Sequence, residues 1–314
     1  MLPYAAFDLH CDTLTDTHIP NALQIDTLNR PTNHLVLSAL PKETRWAQCY
    51  AVFIPDPYTG KGADTYYHDY QASFARQMEK FSDLVTQCRS AAEIESAWAA
   101  GKAAAILTIE NGSALAGDLN RVDVLARDGV KMITLTWNGE NEIASGSTTD
   151  HGLSAFGREV IPAMEQNGIL VDVSHLNDTG FYELLDVAKK PFVASHSNAR
   201  AVCGHKRNLT DDQIREMAAR RCLIGLNYFT LFLRDDGNPQ PEDLLRHIDR
   251  FLDLGAEDCL ALGSDFDGAV IPDWLLGPQK VVELYDLLLQ RGYCAELCDK
   301  LFYRNALEFF RTNL

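Results

Sequence analysis

The segment Phe7-Asp8-Leu9-His10-Cys11-Asp12-Thr13 places an imidazole and a carboxylate two residues apart at the end of an apolar run. On an extended chain successive side chains face opposite sides, so His10 and Asp12 project together while Cys11 points away. That pair is half of a site for a divalent metal such as zinc. Taken alone it is also a common turn sequence. Four more ionisable residues close apolar runs downstream: Glu110 in Leu107-Thr108-Ile109-Glu110, His175 after Val173-Ser174, His196 after Ala194-Ser195, and Asp265 in Leu262-Gly263-Ser264-Asp265. A lone histidine is usually a satisfied core residue, and Glu110 alone reads equally well as a turn cap. Two histidines at successive run ends, in the company of His10, Asp12 and Glu110, are better explained as ligands.

Three imidazoles and two carboxylates exceed what one tetrahedral zinc needs while keeping an open position. Two metals fit better, with Glu110 as the bridge because its run lies between the two groups. Ions roughly 3.5–4 Å apart acidify a water and polarise the carbonyl under attack. Hydrolysis of an amide also needs a proton for the departing amine, and Asp265 is expected to act as that general acid/base. Asp267 lies beyond the end of its run and reads as a turn residue or as a support for the residues around the site.

Such residues must be brought together by the elements that carry them. Eight short apolar runs, at 5–11, 48–54, 104–110, 131–137, 168–174, 191–196, 222–228 and 259–265, alternate with helical patterns. The helical patterns lie at 64–89, 118–127, 155–166, 179–189, 211–220 and 241–254, with closing helices at 280–290 and 294–310. Runs that are apolar at nearly every position suit parallel strands covered on both faces. Eightfold strand-helix alternation predicts an α/β fold, a single (β/α)8 TIM-type barrel spanning residues 1–314. An open doubly wound sheet is the structural alternative. A barrel requires catalytic residues at the C-terminal ends of its strands, where His10, Asp12, Glu110, His175, His196 and Asp265 all fall.

The 314 residues carry 28 Lys and Arg against 44 Asp and Glu, a formal charge of −16. A field of that sign repels phosphate backbones, so nucleic acid is not an expected partner. No basic leader precedes an apolar stretch, and no apolar run approaches the ~20 residues that cross a bilayer, so no membrane association is expected. Eight cysteines without a regular framework suit reduced thiols in a cytoplasmic protein. Gly-x-Ser-x-Gly, Gly-x-Gly-x-x-Gly, Walker and His-Glu-x-x-His motifs are absent, which removes serine hydrolysis, dinucleotide chemistry and helix-borne zinc proteolysis.

Taken together, several segments resemble the renal (membrane) dipeptidase family, zinc peptidases of the amidohydrolase group of barrels. They are Asp8-Leu9-His10-Cys11-Asp12, Ile109-Glu110-Asn111-Gly112 and Gly152-Leu153-Ser154-Ala155-Phe156-Gly157. To these add Val171-Asp172-Val173-Ser174-His175, Ser195-His196-Ser197-Asn198-Ala199, Arg207-Asn208 and Gly263-Ser264-Asp265-Phe266-Asp267-Gly268. The resemblance implies that His10 and Asp12 bind one zinc, that His175 and His196 bind the other, and that Glu110 bridges the two. It implies that Arg207 grips the free C-terminal carboxylate of a dipeptide and that Asp265 manages the scissile proton. Guanidinium suits the first role, since it meets carboxylate through two parallel hydrogen bonds. Without the resemblance Arg207 and its neighbour His205 read as solvated loop residues.

One departure concerns strand four. The animal enzymes carry a histidine after Leu-Thr, where it helps to bind substrate and to steady the oxyanion; here Leu135-Thr136 is followed by Trp137. Indole has one N–H and no charge, which makes it a weaker oxyanion partner. Asn138 or His151, in the Gly/Ser/Thr-rich stretch that follows, is expected to recover part of that function. Tyr228 and Phe229 are expected to form an apolar wall of the pocket.

The expected function is therefore a binuclear zinc dipeptidase acting on small dipeptides with a free carboxylate, L,L and by resemblance also L,D. Deaminases and non-peptide amidases of the same barrel group commonly open with His-x-His and use a modified lysine late on strand four. Here the second ligand is Asp12, and Lys131 begins its strand. A barrel that has lost catalysis and only binds is the remaining alternative. Phe302-Tyr303 and Phe309-Phe310 could face a partner subunit in a homodimer or cover the bottom of the barrel.

Overall fold

The computed structural model describes residues 4–15, 22–42 and 44–314. The strands are β1 Ala5–Cys11, β2 Arg45–Phe53, β3 Val85–Gln87, β4 Ala103–Glu110, β5 Val130–Thr134, β6 Leu170–Asp172, β7 Val193–Ala194, β8 Leu223–Leu226 and β9 Leu260–Leu262. All eight expected runs are among them. Neighbours follow the order β2-β1-β9-β8-β7-β6-β5-β4, every pair is parallel, and β2 pairs with β4 to close the ring. This is the (β/α)8 barrel. The closing pair runs in step from Ala47 opposite Ala104 to Phe53 opposite Glu110.

The helices are α1 Gly60–Lys80, α2 Ala91–Ala99, α3 Arg121–Asp128, α4 Ala155–Gln166, α5 Asp178–Val187, α6 Asp211–Ala219, α7 Thr230–Leu233, α8 Pro241–Asp253, α9 Pro278–Gln290, α10 Ala295–Asp299 and α11 Asn305–Asn313. Their starts are legible locally. Ser154 caps α4 by accepting the Gly157 N–H at 2.9 Å. Thr210 and Gln213 cap α6 reciprocally. Gly157 is obligatory for a second reason: a Cβ there would lie 2.1 Å from the Ile143 carbonyl oxygen.

The elements differ from the sequence patterns in three places. The helix expected over 64–89 ends at Lys80, and Val85–Gln87 becomes β3 beside Ala103–Ala105. β5 joins β4 only from Leu107 onward, so the first half of β4 has an open edge, which β3 covers. The stretch 91–99, to which the sequence patterns assigned no element, is α2, capped by Ser90 accepting from Glu93 N. The expected helix 294–310 is broken by a π-helical turn, Lys300–Arg304.

Two apolar clusters organise the core. The larger lies between the ring and the helices. The smaller takes side chains from every strand of the ring, among them Phe7, Cys49, Ile106, Met132, Leu170, Val193, Leu223 and Ala261, and so fills its inside. Phe309 and Phe310 of α11 close it at the base. Phe302, Phe309 and Phe310 are buried, and Tyr303 packs its ring 6.3 Å from Trp98. These rings cover the barrel bottom, one of the two placements the sequence left open.

Candidate active site

Above the apolar filling, the strand ends turn polar. His10 and Asp12 leave β1, Glu110 ends β4, and His175, His196 and Asp265 lie just beyond β6, β7 and β9. All six are buried. His175 Nε2 stands 2.9 Å from Glu110 Oε1, and His196 Nε2 stands 3.8 Å from the same oxygen. The other Glu110 oxygen lies 3.5 Å from His10 Nε2, which is also 3.4 Å from Asp12 and 3.8 Å from Asp265. Glu110 therefore touches both histidine groups through different oxygens. Two sets of three, His10-Glu110-His196 and His10-Asp12-Asp265, each bring ligand atoms within 4.8 Å of one another.

The electrostatics of this cluster are frustrated. Burial, reinforced by the Asp12 charge, pushes the Glu110 carboxyl up to about 8. Burial also raises Asp265. Burial would lower His10, but the Asp12 and Glu110 carboxylates beside it prevail and hold it well above its ordinary value. His175 and His196 are driven well below theirs by burial, with the Arg207 and His10 charges adding, so both stay neutral and ligand-competent. Three buried polar atoms, His10 Nε2, His196 Nε2 and Asp12 Oδ1, have no hydrogen-bond partner. Orphans are costly when buried; here the two nitrogens flank Glu110, and Asp12 stands beside His10. Imidazole and carboxylate donors with unmade bonds fit divalent metal ions.

Two carboxylates that the sequence patterns did not single out hold the segments carrying His10 and His196 in place. Asp172 at the end of β6 accepts Ser174 N and Ser195 N, both at 2.9 Å, Thr134 Oγ1 at 2.6 Å and Ser195 Oγ at 2.5 Å. Ser195 Oγ in turn contacts His196 Nδ1 at 2.8 Å. Asp8 in β1 accepts from His10 N, Ser264 N and Gln48 Nε2. The available signal was a lone carboxylate inside an apolar strand, as in Val171-Asp172-Val173, where only a structural partner justifies burial. Asn227, also unanticipated, donates from Nδ2 to Asp265 Oδ2 at 3.0 Å. The backbone contributes too: Asn111, His175, Asp265 and Asp267 have φ of +79°, +69°, +62° and +65°. Such conformations cost on the order of 1–3 kcal/mol each and collect at functional sites. Asp267 has the supporting role, since it accepts Thr13 Oγ1 and His34 N.

The remaining expected residues divide. Arg207 is buried rather than solvated, because its guanidinium packs over the Phe232 ring at 5.4 Å. It has no carboxylate partner within ion-pair distance among the described residues; Nη2 donates to His196 O at 3.4 Å and Nε is unpaired. Burial pushes it down to about 10. His205 is half-buried and accepts Arg207 N. Tyr228 is fully buried, edge-on to Phe266 at 5.9 Å, with its hydroxyl unpaired. Asn138 Oδ1 lies 3.1 Å from His175 Nδ1 and so orients that imidazole. Trp137 is half-buried, 5.0 Å from the Phe53 ring and 6.3 Å from His175. His151 does not join the cluster. Its side chain is 84% exposed and paired with Glu140 at 2.8 Å, because the 138–153 segment turns it outward.

All eight cysteines are free thiols, seven of them buried. Among the described residues no helix is long and apolar enough to cross a membrane.

The profile of the membrane dipeptidase family, peptidase family M19, matches residues 3–313. A metallo peptidase of Rhodobacter sphaeroides, solved with a phosphinate mimic of the dipeptide L-Ala-D-Ala, superposes with a TM-score of 0.91 at 26% identity, covering 99% of this chain and all of that one. The M19 dipeptidase AC superposes equally well at 28% identity, covering 99% of both chains. An uncharacterized protein of the pqqA 5' region of Klebsiella pneumoniae is 34% identical over 237 residues, which cover 72% of this chain and 88% of that one. The chain thus belongs to the membrane dipeptidase family, peptidase family M19, and is a metallo-dipeptidase.

Proposed function

We propose that this dipeptidase uses two zinc ions on opposite sides of Glu110, one with His10 and Asp12, the other with His175 and His196. The observation that carries this reading is that the orphaned His10 and His196 nitrogens flank different oxygens of Glu110, with Asp12, whose Oδ1 is also orphaned, beside His10. Bound there, divalent ions supply Lewis acidity to the scissile carbonyl and to the attacking water. The chain's own groups do the rest. Arg207, a buried cation without a carboxylate of its own, receives the C-terminal carboxylate of the substrate. Asp265, held on one oxygen by Asn227, directs its other oxygen toward His10 and delivers a proton to the departing amine. Glu110, Asp172 and Asn138 keep the imidazoles aimed. Substrates are small L,L dipeptides and, by analogy with the relative that binds an L-Ala-D-Ala mimic, L,D dipeptides. Residues 1–314 act as one barrel domain. The free cysteines support a reducing, cytoplasmic setting.

The test is release of free amino acids from L,L and L,D dipeptides by zinc-loaded enzyme, chelated enzyme and Asp265→Asn. The expected result is cleavage by the loaded enzyme, none after chelation, and a loss of about 10²–10⁴-fold in Asp265→Asn with metal retained. Cleavage that survives chelation, or full activity in Asp265→Asn, contradicts the reading.

A further inference from the structure

Of the four tryptophans, three direct their indole N–H inward: Trp46 to Gln48 Oε1, Trp98 to Trp46 O and Trp274 to Pro239 O. Trp137 is different. Its N–H makes no hydrogen bond among the described residues and is not sealed from solvent. The ring is half-buried, with one neighbour in His175 and the other in Phe53, also half-buried. Phe53 stands opposite Glu110 in the β2–β4 register. Paired residues of parallel strands share a face, so Phe53 is presented on the same side as the bridging carboxylate. Two large aromatic surfaces therefore stand half-covered beside the reacting centre, where ordinary packing would have buried them.

They are also held still. Asp56, three residues beyond Phe53, accepts the Gly139 N–H at 2.8 Å, two residues beyond Trp137. Gly139 permits this approach, since a Cβ there would lie 2.9 Å from the Asp56 carboxylate. On the other side Asn138 is fixed to His175. A platform anchored at both ends meets a ligand without ordering cost.

We propose that Phe53 and Trp137 form the subsite for the side chain of the dipeptide's N-terminal residue, and that it selects aromatic and large aliphatic side chains. The assignment of end follows from the ring and rests on Arg207 receiving the C-terminal carboxylate. Arg207 follows β7, and β7 and β2 lie four strands apart in a ring of eight. A short substrate gripped at β7 and crossing Glu110 carries its first residue toward β2, where Phe53 stands. Aromatic surfaces reward apolar side chains through buried area and edge-to-face contact. A site of this kind discriminates by ten- to a few hundredfold per substantial apolar group.

The experiment measures kcat/KM on the zinc-loaded wild type for Phe-Ala, Leu-Ala and Gly-Ala, which differ only at the first residue. It then compares the Phe-Ala to Gly-Ala ratio in Trp137→Ala and in the milder Phe53→Leu. The expected wild-type ratio is about tenfold or more, falling by about that factor in Trp137→Ala and less in Phe53→Leu, chiefly through KM for Phe-Ala. The wild-type ratio needs no variant, and Phe53→Leu keeps the core volume near its original value if Trp137→Ala folds poorly. Equal cleavage of Phe-Ala and Gly-Ala, or a ratio unmoved by both substitutions, overturns the subsite while leaving the dipeptidase reading intact. Absence of turnover on all three, with zinc bound, overturns both.

Discussion

At the base of the barrel, Phe7 meets Phe310 with ring centroids 4.8 Å apart, and Trp98 donates its indole N–H to the Trp46 carbonyl while Arg45 lies over its ring. At the rim, His10 Nε2, His196 Nε2, Asp12 Oδ1 and Arg207 Nε are buried without partners, and four non-glycine residues hold left-handed backbone. Both ends belong to the same eight strands, and the difference lies at the C-terminal ends of several of them and in the residues just beyond. In β4, Ile106 fills the apolar interior, and four residues later Glu110 joins the histidines. The base is closed mainly by apolar and ring contacts, with Arg45 Nε an exception, whereas at the rim the unpartnered atoms belong to imidazoles and carboxylates gathered around Glu110 and His10. Barrels separate stability from chemistry in this way, and the separation makes two kinds of damage distinguishable.

The largest break in that contrast comes from Glu110→Gln. It should lower kcat/KM by about 10³-fold or more, since it removes the ligand proposed to be shared, while the metal-free fold loses no stability in urea. A comparable drop in the metal-free unfolding midpoint would show that rim and base are not separable. The converse is Phe310→Ala. It should destabilise by about 3–5 kcal/mol in chemical denaturation, with kcat/KM per folded, zinc-loaded molecule unchanged.

A third test uses pH on the metal-free protein. His247 in α8 is buried, accepts Ala199 N and contacts Leu233 O, and burial pushes it down to about 4. Above its ordinary value the imidazole is neutral folded or unfolded, so its contribution is complete. As pH falls from about 6.5 toward 4, the unfolded chain gains a proton that the folded chain refuses, and up to about 3 kcal/mol is lost. Urea midpoints of wild type and His247→Asn at pH 7 and pH 4.5 should differ in pH dependence by that order. Parallel pH profiles would contradict it. The smallest expected effect sharpens the rim itself. Asp172→Asn keeps the shape but weakens the Ser195 and Thr134 contacts, and should lower zinc affinity about 10–100-fold in competition with a chelator.

How much of this was legible follows the same division. The eight ring strands were readable because strands covered on both faces are apolar along their length, and ionisable residues ending such runs are conspicuous. His10, Asp12, Glu110, His175, His196 and Asp265 converge because the fold aligns strand ends. β3 was hidden because Val85-Thr86-Gln87 follows α1 through Phe81–Leu84 with neither glycine nor proline to mark the change. Its reason for being a strand lies in the open edge of β4, a tertiary fact. Asp172 and Asp8 carried a signal, a carboxylate within an apolar strand, that points to burial without naming the partner. Arg207 carried none, since its burial depends on Phe232, 25 positions downstream. His151 fell beside the right residue in sequence but on the outward side of its turn.

The account rests most directly on Glu110 as the common ligand of two metal ions, and metal content measures that. Zinc per chain, counted by elemental analysis after dialysis against micromolar zinc, should be two in the wild type. It should fall to one or fewer in Glu110→Gln, while His151→Ala keeps two. A wild type that binds fewer than two ions, or a Glu110→Gln protein that still holds both, would contradict the assignment of Glu110 as the bridge.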